Sequence, residues 1–219
     1  MMHRFLLIAS LILLGGCVTK PAAWDYTNFQ RAKPASLLVM PPVNDSPDIK
    51  ATPGVWSLVT QPLAEAGYYV LPVTLVDETF RNNGVYTAND AQGIPIPKLR
   101  DFFGADAAVY IKVNKYGTSY AVISSETRVE VEAQIVDLRS GELLWKGSAL
   151  ATSAEQQQAQ GGLVGLLVQA LVNQIIGTST DAAYTYAGVA VSRLMGAPRY
   201  NGVLPGPRSP LFGQPPVAQ

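Results

Sequence analysis

Residues 128–137 read RVEVEAQIVD, and residues 139–151 continue as RSGELLWKGSALA. Val129, Val131, Ala133 and Ile135 alternate with Arg128, Glu130, Glu132 and Gln134. That is the period of an antiparallel strand with one face on a core and the other in water. Arg139-Ser140-Gly141-Glu142 has turn chemistry, so Leu143 to Ala151 returns as the hairpin partner. Upstream, Ala107 to Lys115 reads as a strand with a turn at Gly117, and Tyr120 to Ser124 as a further short strand.

The amino-terminal half has a different rhythm. Ser36 to Met40 is a short apolar run stopped by Pro41-Pro42, the pattern of a strand buried on both faces. Val55 to Ala66 has helical spacing, with Pro62 expected to kink or split it. Gly67 ends that helix, Tyr68 to Leu71 forms a second strand, and Val73 to Asn82 a helix closed at Asn83-Gly84. Thr87 to Pro97 reads as loop, with Pro97 opening a helix through Phe103. After the hairpin come two helices, the nearly all-apolar Gly162 to Ile176 and then Ala182 to Met195, capped from Ser179, Thr180 or Asp181. Strands and helices that alternate first, then antiparallel strands, then helices, indicate an α/β layered domain with a mixed sheet flanked by helices.

The two ends are of another kind. His3 and Arg4 precede the apolar run Phe5 to Leu14, which is too short to span a bilayer and has the parts of a secretory signal over residues 1–16. Leu14-Gly15-Gly16-Cys17 resembles a bacterial lipobox, in which the thiol takes a diacylglycerol and the new amino group an acyl chain. Val18 and Thr19 follow in place of Asp, which by resemblance to enterobacterial sorting rules favours the outer membrane. Residues 17–34 read as a lipidated tether. From Gly196 to Gln219 there are six Pro and four Gly, so 197–219 reads as a disordered tail and 35–196 as the domain.

Composition narrows the chemistry. The chain of 219 residues has one His and one Cys, and 16 Lys and Arg against 16 Asp and Glu. Loss of 16 residues leaves 203 residues with no imidazole, their only thiol at the first position, and 15 basic against 16 acidic side chains. Ser-His-Asp triads, Cys-His dyads, CxxC pairs and zinc sites built on His or Cys are excluded. The balanced charge argues against nucleic acid. No metal site or cofactor motif is expected: the Asp45-Ser46-Pro47-Asp48 turn lacks the oxygen spacing of a calcium loop.

What remains is a carboxylate-based glycan hydrolase, with Asp45, Asp48, Asp77, Glu78, Asp101 and Asp106 as candidates, or a non-enzymatic surface. For the surface, Tyr116 and Tyr120 at the turn and the Gln169 and Asn173 stripe of the apolar helix are the candidate contacts.

The stretches VMPPVNDSPDIKA, PLAEAGYYVLPVTLVDETFRNNG, KLRDFFGADAAVYIKVNKYGTSY and VDLRSGELLWKGSALA resemble a family of bacterial outer-membrane lipoproteins with neisserial members, in collinear order from about Ser36 to Gly196. That family is similar in fold to the amino-terminal domain of TolB and the periplasmic domain of the curli-export lipoprotein CsgG. The resemblance implies a partner in an envelope assembly or transport complex, with a CsgG-like lipoprotein among the candidates. It carries over no site residue except Cys17. Self-association as a homo-oligomer, a dimer for example, is expected as well. A CsgG-like secretion channel is the alternative; the charged outward face of residues 128–132 argues against a self-made pore.

Overall fold

The computed structural model describes residues 22–120, 125–158 and 181–217. The signal segment, Cys17 and the apolar helix with Gln169 and Asn173 lie outside the described residues.

Six strands form one mixed sheet. β1 (Ser36–Val39) pairs in parallel with β3 (Tyr69–Val70) on one side and β4 (Ala107–Tyr120) on the other. Leu37, Leu38 and Val39 are buried, as a parallel strand covered on both faces requires. Pro41 and Pro42 have no N–H to give the ladder, and the strand resumes beyond them as β2 (Val43–Asn44), which pairs further along β4. β5 (Ser125–Asp137) and β6 (Leu143–Thr152) complete the sheet in antiparallel register, in the order β3-β1-β4-β5-β6. The α/β layered arrangement expected from the sequence is the one found.

α1 (Thr27–Ala32) precedes β1, and α2 (Ala51–Glu65) connects β2 to β3. α3 (Val73–Asn82), α4 (Ala88–Gln92) and α5 (Ile96–Phe103) lie between β3 and β4. α6 (Ser153–Gln158) follows β6, and α7 (Ala182–Met195) covers the face of β5 that carries Val129, Val131, Ala133 and Ile135. Asp181 caps α7, its carboxylate accepting the Ala183 N–H at 3.0 Å.

Three local expectations change. Pro62 neither ends nor splits α2, because burial of Val55, Trp56, Val59 and Leu63 holds the helix through the missing bond. Residues 88–92 are helix, not loop: Thr87 accepts the Asp90 N–H, so Thr87-Ala88-Asn89-Asp90 is a helix start. The turn expected at Gly117 is continuous strand, paired with Arg128.

The largest change is at the ends. Residues 22–34 are docked on the domain, with Tyr26 and Phe29 buried. The segment after α7, read as disordered, packs as well. The Tyr26 hydroxyl donates to the Gly202 carbonyl, and the Tyr68 hydroxyl to that of Leu204. The Trp145 indole N–H donates to Asn201 C=O at 2.8 Å, and Val203 is buried. Gly206 and Arg208 N–H groups donate to the carbonyls of Ala66 and Gly67 at 2.7 and 3.0 Å. Composition misleads here because six proline rings already restrict the unfolded chain, so less entropy is lost on ordering it. The packed region therefore extends from the amino-terminal segment through Arg208.

Candidate functional site

The face of β4, β5 and β6 opposite α7 is the polar one. Register places Tyr110, Gln134 and Lys146 in one row across the three strands, and Lys112, Glu132 and Ser148 in the next. These side chains, with Trp24 and Gln92 at the margin, line an open hollow of about 530 Å³. Lys112 pairs with Asp45 at 2.7 Å, and the Asn114 amide donates to Glu132 at 2.6 Å. Both signs of charge alternate here, continuing through Lys115, Arg128 and Glu130. A surface of this kind suits contact with another protein and offers a polyanion no continuous basic track.

Tyr116 does not belong to that surface. A bulge in β4 between Val113 and Lys115 inserts Asn114 and reverses the phase of the strand. Lys115 then points outward opposite Glu130, and Tyr116 turns inward opposite Val129. Its ring is 5% exposed, beside Gly54 of α2 and Tyr184 of α7. Burial first, and then the charges of Asp181 and Asp48, push its hydroxyl well above the ordinary tyrosine range. Tyr120 is the last residue of β4, paired with Ser125. The structure thus does not bring Tyr116 and Tyr120 together as one exposed cluster, and a bulge leaves no mark in a strict two-residue count.

The candidate carboxylates are dispersed and largely engaged. Asp77 pairs with Arg81 one helical turn away, and Asp48 accepts the Lys50 N–H. Asp106 accepts from Ala35 N–H at 2.9 Å and from Ser36 N–H and hydroxyl at 3.0 Å each, tying the start of β1 to the start of β4. Burial opposes its charge, but these donors and Arg139 outweigh that and hold the carboxyl below its ordinary value. Asp137, in the hairpin turn, is likewise held low: burial is outweighed by the Arg139 guanidinium and the Arg139 and Ser140 N–H groups. A glycosidase acid needs the opposite displacement. Among the described residues no group of three or more His, Cys, Asp and Glu side chains could hold a metal ion, and no helix is long and apolar enough to cross a membrane.

Asp106 gives a pH test. Its lowered value means the folded state favours the carboxylate, so the stabilisation is present above the ordinary value of 3.8 and disappears as pH falls through the folded value. Asp106→Asn is expected to lower stability at neutral pH by about 1–3 kcal/mol. Its effect should shrink on acidification below about pH 4. Urea titrations across that range read both.

Sequence reasoning missed the corner where the chain ends meet. Asn201, at a left-handed φ of 52°, accepts the Trp24 N–H on its side-chain oxygen and donates from its side-chain nitrogen to Ala22 C=O, both at 2.8 Å. The Trp24 indole N–H reaches Leu144 C=O at 3.1 Å, and the Lys146 ammonium lies 5.9 Å from the Trp24 ring centre. Asn201-Gly202 is a signal for left-handed backbone, but nothing local announces its partner.

Residues 24–208 match the family model described as "Putative lipoprotein GNA1162-like". That span takes in the amino-terminal segment and most of the proline-rich one. A lipoprotein of Neisseria meningitidis serogroup B, "Putative lipoprotein NMB1124/NMB1162", is 44% identical over 202 residues, covering 92% of this chain and 94% of its own. The crystal structure of lipoprotein GNA1162 from Neisseria meningitidis superposes with a TM-score of 0.55 at 46% identity, over 66% of this chain and all of that one. A looser likeness, TM-score 0.45 at 13% identity over 80% of this chain and 91% of the other, is to the PelC dodecamer from Paraburkholderia phytofirmans.

Proposed function

We propose, on the premise that the chain belongs to the GNA1162-like lipoprotein family, that it is a non-enzymatic binding or assembly module. It is held by acyl chains on Cys17 at the outer membrane and works in a transport or assembly complex with other lipoproteins. The observation that carries this reading is the lone cysteine at the end of Leu14-Gly15-Gly16-Cys17 in a family of lipoproteins. Two hydrophobic anchors already give stable attachment at about 0.8 kcal/mol per buried methylene. The mixed-charge face of β4–β6 is the surface offered to a partner.

Cys17→Ala is the direct test. The wild-type protein should enter the detergent phase on Triton X-114 partitioning, and intact mass should show a processed, acylated amino terminus. The variant should keep residues 1–16 and lose the acyl mass; a wild-type chain without acyl mass would refute the anchor. In-cell crosslinking from positions 130 and 148, followed by mass spectrometry, should recover other envelope lipoproteins. Recovery of free monomer alone would count against the assembly reading.

The CsgG-like channel is less well supported. β4 and β5 are long enough to span a bilayer, but α7 covers one face and the other carries Lys112, Arg128, Glu130 and Glu132. A glycan hydrolase would require a carboxyl held high, whereas Asp106 and Asp137 are held low.

A further inference from the structure

The length of chain between Cys17 and the first docked residue sets how far the domain can stand from its anchor. Ala22 is held by Asn201 and Trp24 by Asn201 and Leu144, so the folded unit begins five residues after Cys17. Five residues span at most about 18 Å when fully extended. A tether running to residue 34 would have let the domain stand far from its anchor; five residues keep Ala22 within that reach of it.

We propose that the corner formed by Ala22, Ala23, Trp24, Leu143 and Lys146 rests on the lipid headgroups of the leaflet that carries the acyl chains. The proposal rests on acylation of Cys17. The chemistry of the corner suits that occupant. Trp24 is half-buried, its indole N–H is held by the Leu144 carbonyl, and the cation of Lys146 lies over the ring. An amphipathic ring beside a lysine is the pairing found at membrane–water interfaces. Ala22 and Ala23 are small and exposed, and Leu143 is partly exposed. Of the nearby carboxylates, Glu142 pairs with Arg31 at 2.6 Å, whereas Asp25, which accepts from the Thr27 hydroxyl at 2.6 Å, keeps its charge. Lys146, over the Trp24 ring, is the cation this corner offers to lipid phosphate. Tyr120, the last residue of β4, lies ten residues along the strand from Tyr110, which lines the hollow beside Trp24, and so roughly 33 Å away.

Tryptophan fluorescence tests this with the full chain. The three tryptophans are Trp24, Trp56 and Trp145, and the latter two are buried. Acylated protein is reconstituted into vesicles of phosphatidylethanolamine and phosphatidylglycerol containing a headgroup spin-labelled lipid. The label should quench wild-type emission, and the quenched component should be missing in Trp24→Phe. Inserting about 20 Gly and Ser residues between Thr19 and Lys20 raises the average reach from roughly 12 Å to roughly 27 Å, and the quenching should fall sharply. Protein that sediments with the vesicles while Trp24 stays unquenched overturns the proposal, whether the corner then faces water or a second copy. Protein that does not sediment with them overturns the acylation reading, and this proposal with it.

Discussion

Deleting residues 198–219 will lower the melting temperature by about 10–20 °C, on a scale of about 2–4 °C per kcal/mol for a chain of this size. The deletion removes the acceptors of the Tyr26 and Tyr68 hydroxyls and of the Trp145 indole, and two main-chain bonds to Ala66 and Gly67. It also removes buried Val203. At about 1 kcal/mol per hydrogen bond and about 1.5 kcal/mol or more for the valine, less the entropy regained by the freed segment, the loss is on the order of 5 kcal/mol. Domains have only about 5–15 kcal/mol to lose. Thermal unfolding followed by circular dichroism reads the shift. A truncated chain that melts with the full one would show that the segment is ornamental. Limited proteolysis gives a second readout: the full chain should resist cleavage between 198 and 209, whereas a loose tail is cut first.

Gly67→Ala is the second large effect, expected at about 3 kcal/mol or more from two separable causes. Gly67 has a φ of +97°, where a side chain costs about 1–3 kcal/mol. A Cβ there would also meet the Ser209 backbone nitrogen, the Ser209 Cβ at 2.8 Å and the Gly206 carbonyl at 3.0 Å. These neighbours belong to the carboxy-terminal segment. A chain ending at Pro205 keeps the acceptors at residues 201, 202 and 204 but lacks Gly206 and Ser209. In that background Gly67→Ala should cost the backbone strain alone. The difference between the two backgrounds, a coupling of about 1–3 kcal/mol, measures the contact itself. Equal costs in both would mean that the segment does not press on Gly67 in solution.

Much of the architecture was legible where one physical rule dominates. The two-residue alternation of 128–135 survives intact because one face of β5 meets α7 and the other meets water. The run at 36–40 was legible because a strand covered on both faces must be apolar throughout. The helix over 73–82 matches its expected bounds residue for residue. The rest depended on partners distant in the chain. Tyr116 was read as a surface residue at a turn, whereas β4 runs on through Gly117 and a single inserted residue, Asn114, turns Tyr116 inward; the cue is register against Glu130 and Val129 on another strand. The proline-rich segment was misread because its stability lies in main-chain carbonyls received by tyrosines at 26 and 68 and a tryptophan at 145. Composition counts a segment's own apolar surface, and these bonds are made from the other side. The Trp24 corner was invisible for the same reason, since Asn201 is separated from Trp24 by 177 residues.

The clasp between the chain ends also orders events in time. A chain made amino terminus first presents Trp24 and Tyr26 early, but their acceptors at Asn201 and Gly202 arrive 177 and 176 residues later. Contacts this distant along the chain close slowly. The clasp therefore cannot close until residues 201 and 202 have followed Trp24 and Tyr26.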